Sequence, residues 1–301
     1  MNPIQVYYSL NVAVSLYQIT KRKSISNRLA LPKNHFVSTY LHGYSRIEFE
    51  RLQHQANFLA ESVYSNLHIP QRGNLIEMGC GVGAQTRILL ERYPELHITA
   101  IDRTGEQIAF AKEIIPEKYS SQVDFICADL TDYKAEHLAD AAFCCWMLEH
   151  ASDPSSILRQ IRKSLKPGAT IHITEVQNNS LQVFPRSADL EDYWNSYNRM
   201  QLDMQGDPFV GVKLQSLLHH AGFEEIVIRP QLKLFDQSNP ELLDETCNYW
   251  WRLLESAGEE MQQRGYISAE KRKKTGEHLL NLKNEKDAVF SFTFIQAEAK
   301  I

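Results

Sequence analysis

Three glycines at alternate positions, Gly79, Gly81 and Gly83, stand two residues beyond a carboxylate, Glu77. A turn of this kind lets a ligand approach the backbone with no Cβ in the way. The helix expected to start at Gln85 aims free N–H groups at the same place. A carboxylate beside the turn is badly placed for a pyrophosphate and well placed for a ligand carrying positive charge, such as the ammonium and sulfonium of S-adenosylmethionine. The same glycines followed by Ala84 also satisfy the Gly-x-Gly-x-x-Gly/Ala dinucleotide fingerprint, and Asp102 lies at about the right distance for its ribose acid. The turn alone leaves both ligands open.

The surrounding pattern shows what positions these groups. Apolar segments at 75–78, 97–101, 123–127, 141–147 and 170–174 have strand length, with helical patterning at 86–93, 106–115 and 154–165. Such alternation builds a parallel sheet with helices on both faces, and ligands then sit at the carboxyl ends of the strands. Asp102 closes the second strand, where a carboxylate can accept both hydroxyls of a ribose. Ala128-Asp129-Leu130 follows the third, where an acid can accept an adenine amino group and a backbone N–H can meet the ring. Glu149 and His150 leave the fourth, and Glu175 ends the fifth.

Residues 47–65 read as an amphipathic helix ahead of the sheet. Beyond 174 come helical segments at 188–205 and 212–221, a strand at 225–229, and a largely helical stretch at 240–283 with breaks near Gly265 and Gly276. The alternating run at 289–295 suits an antiparallel strand.

A chain of 301 residues with 43% hydrophobic content can bury one substantial core and carry an accessory region. A net charge of −5 without a long basic stripe argues against nucleic acid as a partner. Five cysteines with no C-x-x-C pair fit a reducing, cytoplasmic location. No apolar run approaches the ~20 residues that cross a bilayer, so an integral membrane protein is not expected. Residues 3–17 are apolar but make a poor signal peptide. We expect residues 1–45 to form a helical appendage acting as a lid, a homodimer contact or a membrane-surface helix. Residues 46–301 form the main domain, with helical insertions at about 184–209 and 240–283.

Six motifs in order, Glu77-Met-Gly-Cys-Gly-Val-Gly83, Asp102, Ala128-Asp-Leu130, Leu148-Glu-His150, Leu165-Lys-Pro-Gly168 and Ala221-Gly-Phe223, carry a resemblance. The run from about 43 to 229 resembles a class I S-adenosylmethionine-dependent methyltransferase, nearest the small-molecule group that includes the ubiquinone and menaquinone C-methylases. The resemblance implies a Rossmann-like α/β fold: a mostly parallel seven-stranded sheet with an antiparallel last strand, helices on both faces and helical lid insertions. It implies that Gly79, Gly81 and Gly83 give the methionine moiety close approach, with Glu77 shaping the loop or meeting the ammonium through water. Asp102 would bind the ribose, Arg103 would lie along the adenine, Asp129 and Leu130 would hold its edge, and the carbonyl of Cys145 would face the ammonium. Tyr44 and Gln55 match a lid closing over the methionine end.

Catalytic candidates are Glu175, Tyr44 and His150. His42 reads as a structural histidine near the pocket, and the adjacent pair His219-His220 points in different directions on a helix, so no metal site is expected. The aromatic residues Phe184, Trp194, Tyr197 and Trp250 are candidates to wall an acceptor pocket. The expected activity is methyl transfer to an O, N or C atom of a small, apolar or aromatic acceptor. The alternatives are a protein that binds S-adenosylmethionine without methylating and an NAD-dependent oxidoreductase. Glu77, the long segment ahead of the glycines and the antiparallel last strand weigh against the oxidoreductase.

Overall fold

The computed structural model describes residues 41–43 and 45–301, so residues 1–40 of the expected N-terminal appendage, and Tyr44, lie outside the described residues. Ser45 caps the first helix among the described residues, α1 (Arg46–Phe58), its Oγ accepting the N–H of Glu48 at 3.2 Å. Leu59 interrupts the helical run and α2 (Ala60–Tyr64) resumes it, where one unbroken helix was expected. Strand and helix then alternate: β1 (Arg72–Met78), α3 (Ala84–Arg92), β2 (Glu95–Asp102), α4 (Gly105–Ile114), β3 (Val123–Cys127), β4 (Ala139–Cys145), α5 (Pro154–Arg162) and β5 (Leu165–Val176). The second half adds β6 (Gln182–Phe184), α6 (Ala188–Asp203), α7 (Leu214–Ala221), β7 (Glu224–Asp236), α8 (Pro240–Gln263), α9 (Ala269–Asn281) and β8 (Val289–Lys300).

The first five strands are parallel in the order β3-β2-β1-β4-β5. β8 runs antiparallel beside β5, from Thr170 opposite Lys300 to Val176 opposite Phe294, and β7 pairs antiparallel with β8 along its other edge. Among the described residues the sheet has eight strands, where seven were expected. The extra one is β6, which takes over β8 from Gln182–Ser291 to Phe184–Val289 where β5 has ended. β7 also runs to Asp236, past Pro230. A proline reads as a strand breaker, but β7 pairs only with β8 among the described residues, and an edge strand tolerates the missing N–H.

Alternation along the strands divides the core. In β4, Ala141 and Phe143 face one cluster while Ala142 and Cys144 face the other. The first cluster takes Ile88 and Leu89 of α3 and is roofed by α6, α8 and α9, which pack on one another. The second takes Ile157, Leu158 and Ile161 of α5 with Leu214 and Leu218 of α7. Each fully buried Leu or Ile contributes about 1.5–3 kcal/mol. Gly276 does not break α9: it is buried against Trp251, whose ring lies 2.8 Å from where a Cβ would stand. Among the described residues, no helix is long and apolar enough to cross a membrane.

Candidate active site

The carboxyl ends of β1, β2, β3 and β4 open on one cavity of about 280 Å³, which continues under α6 and α8. Its first end is built largely from backbone. Gly79 holds φ +70°, and a Cβ there would stand 2.2 Å from the Met147 side chain, so the loop after β4 lies directly on this glycine. Gly81 donates its N–H to Asp102 Oδ2 at 3.0 Å, while Thr104 N–H reaches Oδ1 at 2.9 Å. The second-strand carboxylate thus ties the glycine turn to the β2 exit. Burial pushes its pKa up, against the two backbone N–H groups. Asp129 is exposed at the β3 exit, its carboxylate held low by the Thr131 hydroxyl and N–H. Arg103, Leu130, Cys145 and Gln55 line the same cavity.

The second end is built from side chains. Trp194 and Tyr197 of α6 stack with ring centroids 5.1 Å apart and 17° between planes, and Trp250 of α8 meets Trp194 edge-on at 5.3 Å. Trp194 Nε1 donates to the Asn178 carbonyl at 2.8 Å, fixing its orientation. Arg51 lines the wall while gripping Glu48 through Nε and Nη2, both at 2.7 Å, and Gln55 Oε1 through Nη1 at 2.7 Å. His150 faces the cavity with Nε2 3.7 Å from Glu149 Oε1. Burial, followed by the Arg103 and Arg51 guanidinium groups, pushes its imidazole down to about 3, so it is neutral at physiological pH.

The structure corrects several expectations. Glu175 is not poised as a base: it is fully buried, away from the cavity wall, and Oε1 accepts the N–H groups of Met147 at 2.9 Å and Leu148 at 2.5 Å while Oε2 accepts that of Val176 at 3.3 Å. It fastens the loop after β4. Phe184 is 50% exposed on β6 and does not wall the pocket, because β6 lies at the sheet edge. Glu77 is buried beneath the turn, accepting the Thr86 hydroxyl at 2.6 Å, and burial raises its pKa to about 8; it shapes the loop without facing the cavity. Gly83 is likewise off the cavity wall. It is a glycine because a Cβ would press within 2.9 Å of Ala111 Cβ on α4.

His42 was undervalued by the sequence. It lines the cavity, with Nε2 3.0 Å from Tyr197 Oη and Nδ1 2.6 Å from Ser256 Oγ, the serine lying 214 residues away in sequence. Tyr249, from the same helix as Trp250, also belongs to the wall. The only sequence signal for these groups was the density of aromatics on two helices.

Known proteins resemble the chain in sequence and in fold. Residues 76–173 match a family described as a methyltransferase domain. The chain is 30% identical to O-methyltransferase cnsE of Penicillium expansum over 227 residues, covering 71% of this chain and 77% of the relative. It is 24% identical to trans-aconitate 2-methyltransferase of Azoarcus sp. (strain BH72) over 119 residues, 40% of this chain and 45% of that one. The chain therefore spans about half the length of the trans-aconitate relatives it matches.

A solved putative methyltransferase from Bacillus halodurans C-125 aligns with a TM-score of 0.52 at 14% identity, covering 82% of this chain and 98% of that one. Haemonchus contortus phosphoethanolamine N-methyltransferase 2 aligns with a TM-score of 0.51 at 15% identity, covering 84% of this chain and 57% of that one. The chain belongs to the class I S-adenosylmethionine-dependent methyltransferases. None of these relatives is a ubiquinone or menaquinone C-methylase, so the shared ground is the broader class.

Proposed function

We propose that this protein transfers the methyl group of S-adenosylmethionine to an O, N or C atom of a small, largely apolar or aromatic acceptor. The observation that carries this reading is the continuity of one cavity from the Gly79–Gly81 turn, Asp102 and Asp129 to the Trp194, Tyr197 and Trp250 wall. The residues at the first end fit the cofactor. The Gly81 N–H, a donor that a phosphate would need, is given to the Asp102 carboxylate, which sets negative charge beside the turn. That repels a pyrophosphate and suits a cationic ligand, which argues against NAD. The cofactor supplies an already activated methyl group.

The chain's own part is to bind, align and exclude water; alignment can supply ~7–11 kcal/mol of a barrier. Asp102 is the candidate for the ribose hydroxyls, Asp129 and Leu130 for the adenine edge, Arg103 for its face, and the Cys145 carbonyl for the ammonium. Gln55 is held by Arg51 toward the same space. Tyr44 remains a candidate lid residue. The neutral His150 suits a hydrogen-bonding role better than storage of a proton. A relative named an O-methyltransferase favours oxygen as the target atom.

The domain reading has residues 46–301 as the catalytic unit, with α6, α8 and α9 covering the acceptor and residues 1–45 as lid or homodimer contact. Five free thiols support a reducing, cytoplasmic setting, and nucleic acid is not proposed as a partner. Calorimetry with S-adenosylmethionine, S-adenosylhomocysteine and NADH tests the cofactor. Metabolite extracts incubated with methyl-labelled cofactor test the transfer. Binding of NADH alone would sink the reading.

A further inference from the structure

Two glutamines on the cavity wall are held by their carbonyl oxygens. Gln55 comes from α1, and Arg51 Nη1 lies 2.7 Å from its Oε1. A guanidinium only donates, so the atom facing it must be the amide oxygen. Gln85 comes from the first turn of α3, and the Tyr64 hydroxyl lies 2.5 Å from its Oε1. That separation belongs to an O–H···O bond and is too short for an amide N–H donating to the phenol. Here too the oxygen is the pinned atom. Tyr64, at the end of α2, is itself fixed: its ring stacks on Phe143 at 5.9 Å and lies under the Arg92 guanidinium at 4.9 Å.

With the oxygens pinned, the nitrogens are left to the cavity. Each Nε2 carries two hydrogens. Among the described residues Gln55 Nε2 has no acceptor, and Gln85 Nε2 has only the Cys145 sulfur at 3.6 Å, a weak one. Spare donors on a cavity wall suit a ligand group that only accepts, and an ionised carboxylate is such a group.

We propose that Gln55 and Gln85 clamp the carboxylate at the amino-acid end of S-adenosylmethionine, their Nε2 atoms donating while Arg51 and Tyr64 hold them in position. This rests on the methyl-transfer reading above and adds the atoms that meet one end of the cofactor. The place agrees with the chemistry. Gln85 touches Cys145, whose carbonyl is the candidate for the ammonium, and the cofactor carries its ammonium and carboxylate on one carbon atom. The guanidinium behind Gln55 and the hydroxyl behind Gln85 also polarise the two amides, which strengthens their N–H groups as donors.

The test is calorimetric titration of the full-length protein with S-adenosylmethionine and with its decarboxylated form. The second ligand keeps the adenosine, the sulfonium and the ammonium and lacks only the carboxylate. Gln55→Ala and Gln85→Ala should each weaken S-adenosylmethionine at least about tenfold, the scale of a hydrogen bond to a charged group. Both should leave the decarboxylated form near its wild-type affinity, which also shows that the variants are folded. Gln85→Glu should weaken S-adenosylmethionine further than Gln85→Ala, because a carboxylate would then face a carboxylate. Tyr64→Phe keeps the ring and releases the amide, so it should cost S-adenosylmethionine a smaller factor and spare the decarboxylated form; a merely structural role would weaken both ligands together. Equal losses for the two ligands in the glutamine variants, or tighter S-adenosylmethionine binding by Gln85→Glu than by the wild type, would overturn the clamp and leave the methyltransferase reading standing. Failure of the wild type to bind S-adenosylmethionine would remove that reading and the clamp with it.

Discussion

The two ends of the cavity are built on different plans. The proposed cofactor end draws on Gln55 and on residues between Gly79 and Met147, and is built mainly from backbone N–H groups, glycine surfaces and a carboxylate that ties two strand exits. The proposed acceptor end draws on His42, Arg51, Tyr197, Trp250 and Ser256, spread over more than two hundred residues and held by stacking and side-chain hydrogen bonds. Backbone positions follow from the sheet and persist when side chains change. Side-chain walls can be rebuilt residue by residue. One cofactor can therefore serve many acceptors on this fold, a division in keeping with function residing in sites grafted on a scaffold.

If the ends are separable, substitutions in one should spare the other. The largest effect is expected from Trp194→Ala. This 7%-exposed side chain is both core and wall, and its removal should cost about 3–5 kcal/mol of stability. Denaturant unfolding measures that loss, and titrations should show weaker binding of 4-nitrophenol, a small aromatic probe of the acceptor end, with S-adenosylhomocysteine affinity nearly unchanged. A parallel collapse of cofactor affinity would end the separation.

Asp102→Ala is the counterpart at the other end. Cofactor binding should weaken by about 1.5–3 kcal/mol, the range for hydrogen bonds to a charged group. Calorimetry with S-adenosylmethionine checks it, and unchanged affinity would mean another carboxylate holds the ribose.

Glu77 gives a smaller effect, visible through pH. Raised from 4.5 to about 8 by burial, its carboxyl keeps a proton in the folded chain that the unfolded chain releases. The folded state therefore binds more protons between those values, and stability falls as pH rises through that window. Glu77→Gln should flatten the decline between pH 5 and pH 8 by at least ~1.4 kcal/mol, the worth of one pKa unit. Urea unfolding at several pH values would show it; parallel slopes for both proteins would argue that Glu77 is ionised in the fold.

Ser256→Ala should have the smallest effect on stability, about 0.5–1.5 kcal/mol for one hydrogen bond. Thermal melts measure it, and S-adenosylhomocysteine affinity should stay put.

The same division explains what the sequence disclosed. Strand ends following a βα rhythm put Gly79, Asp102, Asp129 and Cys145 in one row, so local pattern located one end of the site. Nothing local links His42 to Ser256 or Tyr197, because their contact depends on how α6 and α8 pack on the sheet. Glu175 misled for a related reason. Its place at the strand end was legible, but the direction of its carboxylate depended on the N–H groups of Met147, Leu148 and Val176. Phe184 misled because a short aromatic-bearing run gave no sign that β8 extended beyond β5 and offered it an edge. Pro230 hid the length of β7 in the same way.

The contact between Gly83 and Ala111 has a mechanical consequence. A Cβ built at residue 83 would stand 2.9 Å from the Ala111 methyl and 3.2 Å from its Cα, so the glycine turn rests on α4 with nothing larger than that methyl between them to act as a spring. Asp102 and Gly81 are joined on the same stretch by a hydrogen bond. Displacing α4 would drag the turn with it, so the supports for the two halves of a nucleoside-bearing ligand move as a single plate. A mutation on the outer face of α4, far from any ligand, could then tilt both supports together.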